Sequence, residues 1–217
     1  MIKLSKYPEP EILAVNGPTW LKVIQDKIAV GEPPTETEKS RYRHPQIKDV
    51  LKLETHGKCA YCESRLLHVA FGDVEHIAPK SLKIADTFRW SNLTLACDVC
   101  NTYKKDVTNL IDPYVDNPGE YFKFLGPVVY PLPDKNKAIV TEKRLRLNRT
   151  DLVENRIKRL DYISSILLTI ATASDPEVQA VLIDDLINNE AADKGEYAAF
   201  VRSFIEAMAP ELTHPVI

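Results

Sequence analysis

The sequence predicts an α+β fold, predominantly α-helical, in which a small ββα unit is embedded between N-terminal and C-terminal helices. Three observations lead there. The four cysteines fall in two Cys-x-x-Cys pairs, Cys59/Cys62 and Cys97/Cys100, with 34 residues between the pairs. Between them, residues 66–77 carry β-formers in alternation, broken by Gly72. After residue 150, apolar side chains recur at helical spacing in three stripes: Ile157, Leu160, Ile163, Leu167 and Ile170; Val178, Leu182 and Leu186; Tyr197, Val201, Phe204 and Met208. The chain divides accordingly into a helical arm over 1–50, a core over 51–112, and a loop with a hairpin followed by a helical bundle over 113–217.

The elements follow in order. A helical pattern around Trp20, Val23, Ile24 and Ile28 stops at the Gly31-Glu-Pro-Pro34 breaker. A second helix is predicted over 45–55 from the period of Ile47, Val50, Leu51 and Leu53, with Gly57 ending it. Two short strands flank Gly72, and a helix opens at Asn101. A hairpin is expected to join 128–130 to 138–141. Asp175-Pro176-Glu177 puts a side-chain acceptor at a helix cap and proline at the first helical position, and so starts the middle C-terminal helix.

At 217 residues, with 44% hydrophobic and 27% charged side chains, the chain is of ordinary globular composition. No apolar run approaches the roughly 18 residues of a membrane span. The start lacks the apolar run of a secretory signal, so the expected location is the cytoplasm, with no membrane partner. Net charge is −3, unevenly spread: from Ser174 onward nine carboxylates face only Lys194 and Arg202, leaving −7 there and +4 elsewhere. Such asymmetry accompanies nucleic-acid contact by one part and a different task for the other.

Two Cys-x-x-Cys knuckles can close a tetrahedron of thiolates around Zn²⁺. Disulfides are disfavoured in a reducing compartment, and a redox Cys-x-x-Cys occurs once, beside a βαβ pattern not found here. Cys59, Cys62, Cys97 and Cys100 are therefore read as a structural zinc site. His56 and His68 flank the first knuckle and receive no role, because four cysteines complete the tetrahedron.

Inside the zinc-closed loop lie Gly72-Asp-Val-Glu-His-Ile-Ala-Pro-Lys-Ser81 and Trp90-Ser-Asn-Leu-Thr-Leu95, and Asn101 follows the last cysteine directly. The pattern of Cys-x-x-Cys, acid-His-Ile, a central Asn, then Cys-x-x-Cys-Asn with a following Lys resembles the HNH nucleases, whose ββα-metal fold is often braced by two such knuckles. Asn101 and Glu75 stand where that family often has His and Asp, and each keeps an oxygen ligand. The resemblance implies phosphodiester hydrolysis with His76 as general base and Glu75 and Asn101 holding a catalytic Mg²⁺ or Mn²⁺. Asn92 takes the central position, where it braces the loop carrying the base. Asp73 is either an extra metal contact or a turn residue. Strict strand alternation sends Glu75 and His76 to opposite faces, so both serve one site only if the strand ends or bends there.

Lys104 follows Asn101 by three residues and shares its helix face. With Lys80, and with Arg146 and Arg149 from the basic run of residues 143–159, it is a candidate nucleic-acid contact. Tyr61, Trp90 and Tyr103 are read as packing residues. Beyond the core, Pro8-Glu-Pro10, Arg41-Tyr-Arg-His-Pro45, Gly57-Lys-Cys-Ala-Tyr-Cys-Glu63 and Leu145-Arg-Leu-Asn-Arg149 resemble a subfamily of HNH proteins encoded beside an ABC-type ATPase in anti-phage systems, the Septu type and certain retrons. That resemblance implies a DNA-cutting subunit in a complex with an ATPase. Two other readings stay open: a catalytically silent, zinc-ordered nucleic-acid-binding or scaffolding subunit, and an HNH nuclease acting on RNA or tRNA. The acidic C-terminal helices are either a docking surface or a cap on the core.

Overall fold

The computed structural model describes residues 1–66 and 72–212. Helix α1 (Glu11–Ala29) buries Leu13 and Ile24, and α2 (Glu36–Ser40) opens on a capping box between Thr35 and Glu38. In α3 (Pro45–Glu54), proline takes the first turn and buried Ile47 and Leu51 form the inner face. Leu53, expected in that stripe, is 60% exposed. The chain leaves α3 through Gly57, at φ +70°, whose N–H returns to the Lys52 carbonyl at 2.8 Å. This helix runs through the boundary expected at residue 50.

Strands β1 (Asp73–His76) and β2 (Leu93–Ala96) pair antiparallel, with Asp73 opposite Ala96 and His76 opposite Leu93. This corrects the sequence expectation, which placed both strands of the ββα unit on either side of Gly72. The segment before Gly72, with His68, lies outside the described residues. Every residue of β2 is buried, so the strand shows no polar alternation and reads as a plain apolar run. Helix α4 (Asp98–Lys104) starts three residues earlier than expected, because Cys97 is its N-cap: the Cys97 sulfur accepts from the Cys100 N–H at 3.3 Å.

The second hairpin also differs from expectation. It joins β3 (Phe122–Leu125) to β4 (Val128–Pro131), while 138–141 lies inside α5 (Asn136–Leu145). Ala138, Thr141 and Leu145, spaced three and four apart, form the buried face of that helix. The three closing helices are α6 (Thr150–Thr172), α7 (Pro176–Asp185) and α8 (Ala198–Met208). Asp175 caps α7 by accepting from the Glu177 N–H at 2.8 Å. Ile157 and Met208, counted in the apolar stripes, are 43% and 64% exposed.

The acidic C-terminal region packs directly on the first cysteine knuckle. The buried Lys58 ammonium donates to the Asp193 and Gly195 carbonyls at 2.6 and 2.7 Å, and Tyr197 shares a hydrogen bond with Ser64 at 3.0 Å. One continuous core unites arm, ββα unit and bundle. Among the described residues, no helix is long and apolar enough to cross a membrane.

Candidate active site

Both knuckles reach one place because β2 delivers Cys97 beside the turn that carries Cys59 and Cys62. The Ala60 N–H donates to the Leu95 carbonyl at 2.9 Å, which pins the first knuckle to β2. All four cysteines are buried, with sulfurs within 4.8 Å of one another; Cys62 and Cys97 are 3.9 Å apart. Zn–S bonds of about 2.3 Å in a tetrahedron place sulfurs about 3.8 Å apart, so the cluster fits zinc. Burial pushes the Cys59 thiol up, while hydrogen bonds from the neighbouring cysteines hold the Cys62 thiol down.

The oxygen donors and the imidazole flank the end of β1. Asp73 and Glu75 face α4: Asn101 donates to the Asp73 carboxylate at 3.3 Å, and Glu75 lies 3.0 Å from the Lys104 ammonium. Val74 and His76 face the other way, where the imidazole meets the edge of the Tyr42 ring at 4.4 Å and bonds the Thr87 carbonyl at 2.9 Å through Nε2. Alternation thus turns Glu75 and His76 to opposite faces, and the strand ends at His76. Burial raises the Glu75 carboxyl, opposed by Lys104 and, more weakly, Lys80. It lowers His76 to about 4; the Thr87 carbonyl opposes this, and Lys80, Lys104 and Arg43 add to it. The same two lysines act on both groups, so acid and imidazole share one electrostatic neighbourhood.

Asn92 is buried and laces the loop beyond β1. Its Oδ1 accepts from the Ala78 N–H at 2.7 Å, and its Nδ2 donates to the Ala78 and Asp86 carbonyls at 3.0 and 3.2 Å. Ala78 lies two residues past His76, and Asp86 precedes Thr87, whose carbonyl holds the ring. One amide therefore ties both ends of the clamp around His76.

The basic candidates separate. Lys104 is fully buried against Glu75 and takes no other acceptor among the described residues, so its ammonium does not face an incoming phosphate here. Arg149 turns inward, 11% exposed at the side chain, with Nη1 3.9 Å from the Cys100 sulfur. Arg156 is buried and Arg159 pairs with Glu190, so the basic run is not one solvent-facing patch. Lys80 stays near the site, bonding the Tyr42 hydroxyl at 3.1 Å, and Arg146 stacks on Tyr103 at 4.4 Å. Trp90 is buried, with its indole N–H on the Tyr7 carbonyl at 2.8 Å.

Sequence reasoning missed Tyr42, which the arm brings from more than thirty residues away to wall the imidazole, and Arg43, whose guanidinium lies over the Tyr42 ring. It also left Asp73 undecided. The available signal was the period of two that puts Asp73 and Glu75 on one face of β1.

Comparison with known proteins agrees with this geometry. Residues 59–106 match the family model described as HNH endonuclease. The chain is also 24% identical to the Septu protein PtuB of Bacillus mycoides (strain KBAB4), over a 198-residue alignment covering 73% of this chain and 66% of that protein's length. The matched segment contains the four cysteines, Asp73, Glu75, His76, Asn92 and Asn101, which bound the site described above. This chain therefore carries an HNH endonuclease domain and, over most of its length, is similar to a Septu PtuB protein.

Proposed function

We propose that the protein is the metal-dependent nuclease subunit of a bacterial anti-phage system of the Septu or retron-associated kind, hydrolysing phosphodiester bonds in DNA alongside an ABC-type ATPase. The observation that carries this reading is the convergence of Asp73, Glu75 and Asn101 on one side of the end of β1 with His76 at the other. All three donors are oxygens, and Glu75 already accommodates a cation in the Lys104 ammonium. Both facts fit a hard divalent ion such as Mg²⁺ or Mn²⁺. When bound, such an ion supplies charge stabilisation at the phosphoryl and leaving oxygens.

The residues of the chain do the rest. A carbonyl only accepts, so the Thr87 bond keeps the His76 proton on Nε2 and leaves the Nδ1 lone pair to take a proton from the attacking water. Burial keeps the ring neutral at physiological pH, which is the form a base requires. Asn92 holds the segments on either side of the ring, and Lys80 and Arg43 place positive charge beside it for a phosphate backbone. The 4% exposure of His76 favours the rival reading, a silent nucleic-acid-binding subunit.

The test incubates the zinc-loaded chain, alone and with an ATPase subunit, with plasmid, linear DNA and RNA under Mg²⁺, Mn²⁺ or a chelator. DNA cleavage that requires the divalent ion and is abolished in His76→Ala with zinc retained is the expected result. Equal cleavage by the variant removes His76 from the mechanism. RNA products alone transfer the reading to RNA, and salt-sensitive binding without products establishes the silent subunit.

A further inference from the structure

A cavity of 510 Å³ lies between the β3–β4 hairpin, α6 and α8, and backs onto the first cysteine knuckle through Tyr61. Its residues are separate from those around His76. Phe122, Phe124, Leu132 and Leu147 form apolar wall, and the volume lies in the roughly 300–1,000 Å³ range of small-molecule sites.

Arg156 is its unusual member. The residue is 3% exposed, and its guanidinium lies over the Phe124 ring at 5.5 Å. Of the five N–H donors of a guanidinium, one is used among the described residues, on the Pro127 carbonyl at 3.0 Å. No carboxylate among the described residues lies within ion-pair distance of it; the Cys62 sulfur, Tyr197 and Glu63 act on its charge from further off, which leaves its remaining donors open to a ligand. Lys123 borders the cavity but stands on the exposed face of β3, opposite to Phe122 and Phe124. The lining holds Lys3, Lys123, Arg156 and Arg202 against Asp193 and Glu206, an excess of two positive charges. Arg202 and Asp193 satisfy each other, so the excess rests on the other cations.

A phosphate monoester carries nearly two negative charges at neutral pH and takes several charge-assisted hydrogen bonds from a guanidinium. Aromatic wall beside that charge accepts a flat apolar body. We propose that this cavity binds a small phosphate monoester of the mononucleotide class, with Arg156 on the phosphate and Phe122 and Phe124 against the base. Because Tyr61 stands between two zinc cysteines, an occupant touches the knuckle that braces the nuclease core.

The test is calorimetric titration of the full zinc-loaded chain, without Mg²⁺ or Mn²⁺, using 5′-AMP and 5′-GMP as probes and adenosine and inorganic phosphate as comparison arms. A nucleotide is expected to bind with a sub-millimolar Kd, and adenosine and phosphate each about tenfold more weakly or worse. Arg156→Gln should abolish binding with zinc still stoichiometric, and Asn101→Ala, at the nuclease site, should leave it unchanged. Several results overturn the proposal: no binding of either nucleotide at millimolar concentration, phosphate binding as tightly as nucleotide, loss of binding in Asn101→Ala, or wild-type binding in Arg156→Gln. Loss of zinc in Arg156→Gln does so too, since it assigns the guanidinium to the thiolates. If that variant does not fold, Arg156→Lys decides the matter, because it keeps the charge and loses the planar fork, and unchanged affinity there refutes the site.

Discussion

Replacing Asn92 by alanine removes three hydrogen bonds, to the Ala78 N–H, the Ala78 carbonyl and the Asp86 carbonyl. Each is worth about 0.5–1.5 kcal/mol. Ala78 is exposed, so water takes over part of the lost pairing there, and the expected loss is about 2 kcal/mol. For a chain of this size that lowers Tm by roughly 4–8 °C, measurable by calorimetry. The effect on cleavage should be larger than stability alone explains. The amide joins the segment just beyond His76 to the segment whose Thr87 carbonyl orients the ring, and a displacement of about 1 Å in a catalytic group costs about 100-fold in rate. Plasmid nicking by Asn92→Ala, assayed well below its Tm, should therefore fall about 100-fold in kcat with zinc content unchanged. Asn92→Asp should be worse, because its carboxylate would face two carbonyls that now accept from Nδ2. A variant that loses the expected stability yet cuts at the wild-type rate would refute the clamp.

Three further outcomes follow from the geometry. Gly72 sits at φ +61°, and an added Cβ would lie 2.7 Å from Leu66 Cδ1, so Gly72→Ala should cost about 1–3 kcal/mol in chemical denaturation. Arg149→Ala should weaken zinc about tenfold or more in chelator competition, because its guanidinium lies against a zinc sulfur, while the salt dependence of DNA binding stays put. The third concerns pH. His76 takes a proton only at about 4 when folded but near 6.5 when unfolded, so acid favours the unfolded chain across that window. Stability should fall as pH drops through it, and His76→Asn should flatten this part of the profile. A variant curve parallel to wild type would show that the ring titrates normally.

The cysteine cluster was readable because its spacing is local: two knuckles announce themselves in four residues each. His76, Asn92 and Asn101 were singled out for a related reason, each standing at a fixed offset from a knuckle or from an acid-His-Ile step. What could not be read depends on contacts between distant segments. Tyr42 looks like any aromatic in a basic stretch until the arm folds over β1. Lys104, spaced to reach a phosphate, is instead buried on Glu75, because α4 packs that face against the strand. In the fold, β2 escaped because burial on both faces erases alternation, and the second hairpin was misplaced because residues 138–141 carry a short apolar pattern that suits a strand until Leu145 extends it to helical spacing.

The site also borrows from outside the segment that matches the HNH model. Tyr42 encloses the imidazole from the arm, Lys6 and Glu54 pair beneath Trp90 and Tyr114, and Lys58 bolts the first knuckle to the C-terminal region. Excised as a cassette and transplanted into another scaffold, residues 59–106 would keep their four clustered cysteines and lose the enclosure around the His76 imidazole. The nuclease core is thus not a portable module, and swaps between relatives should exchange the arm and the core together.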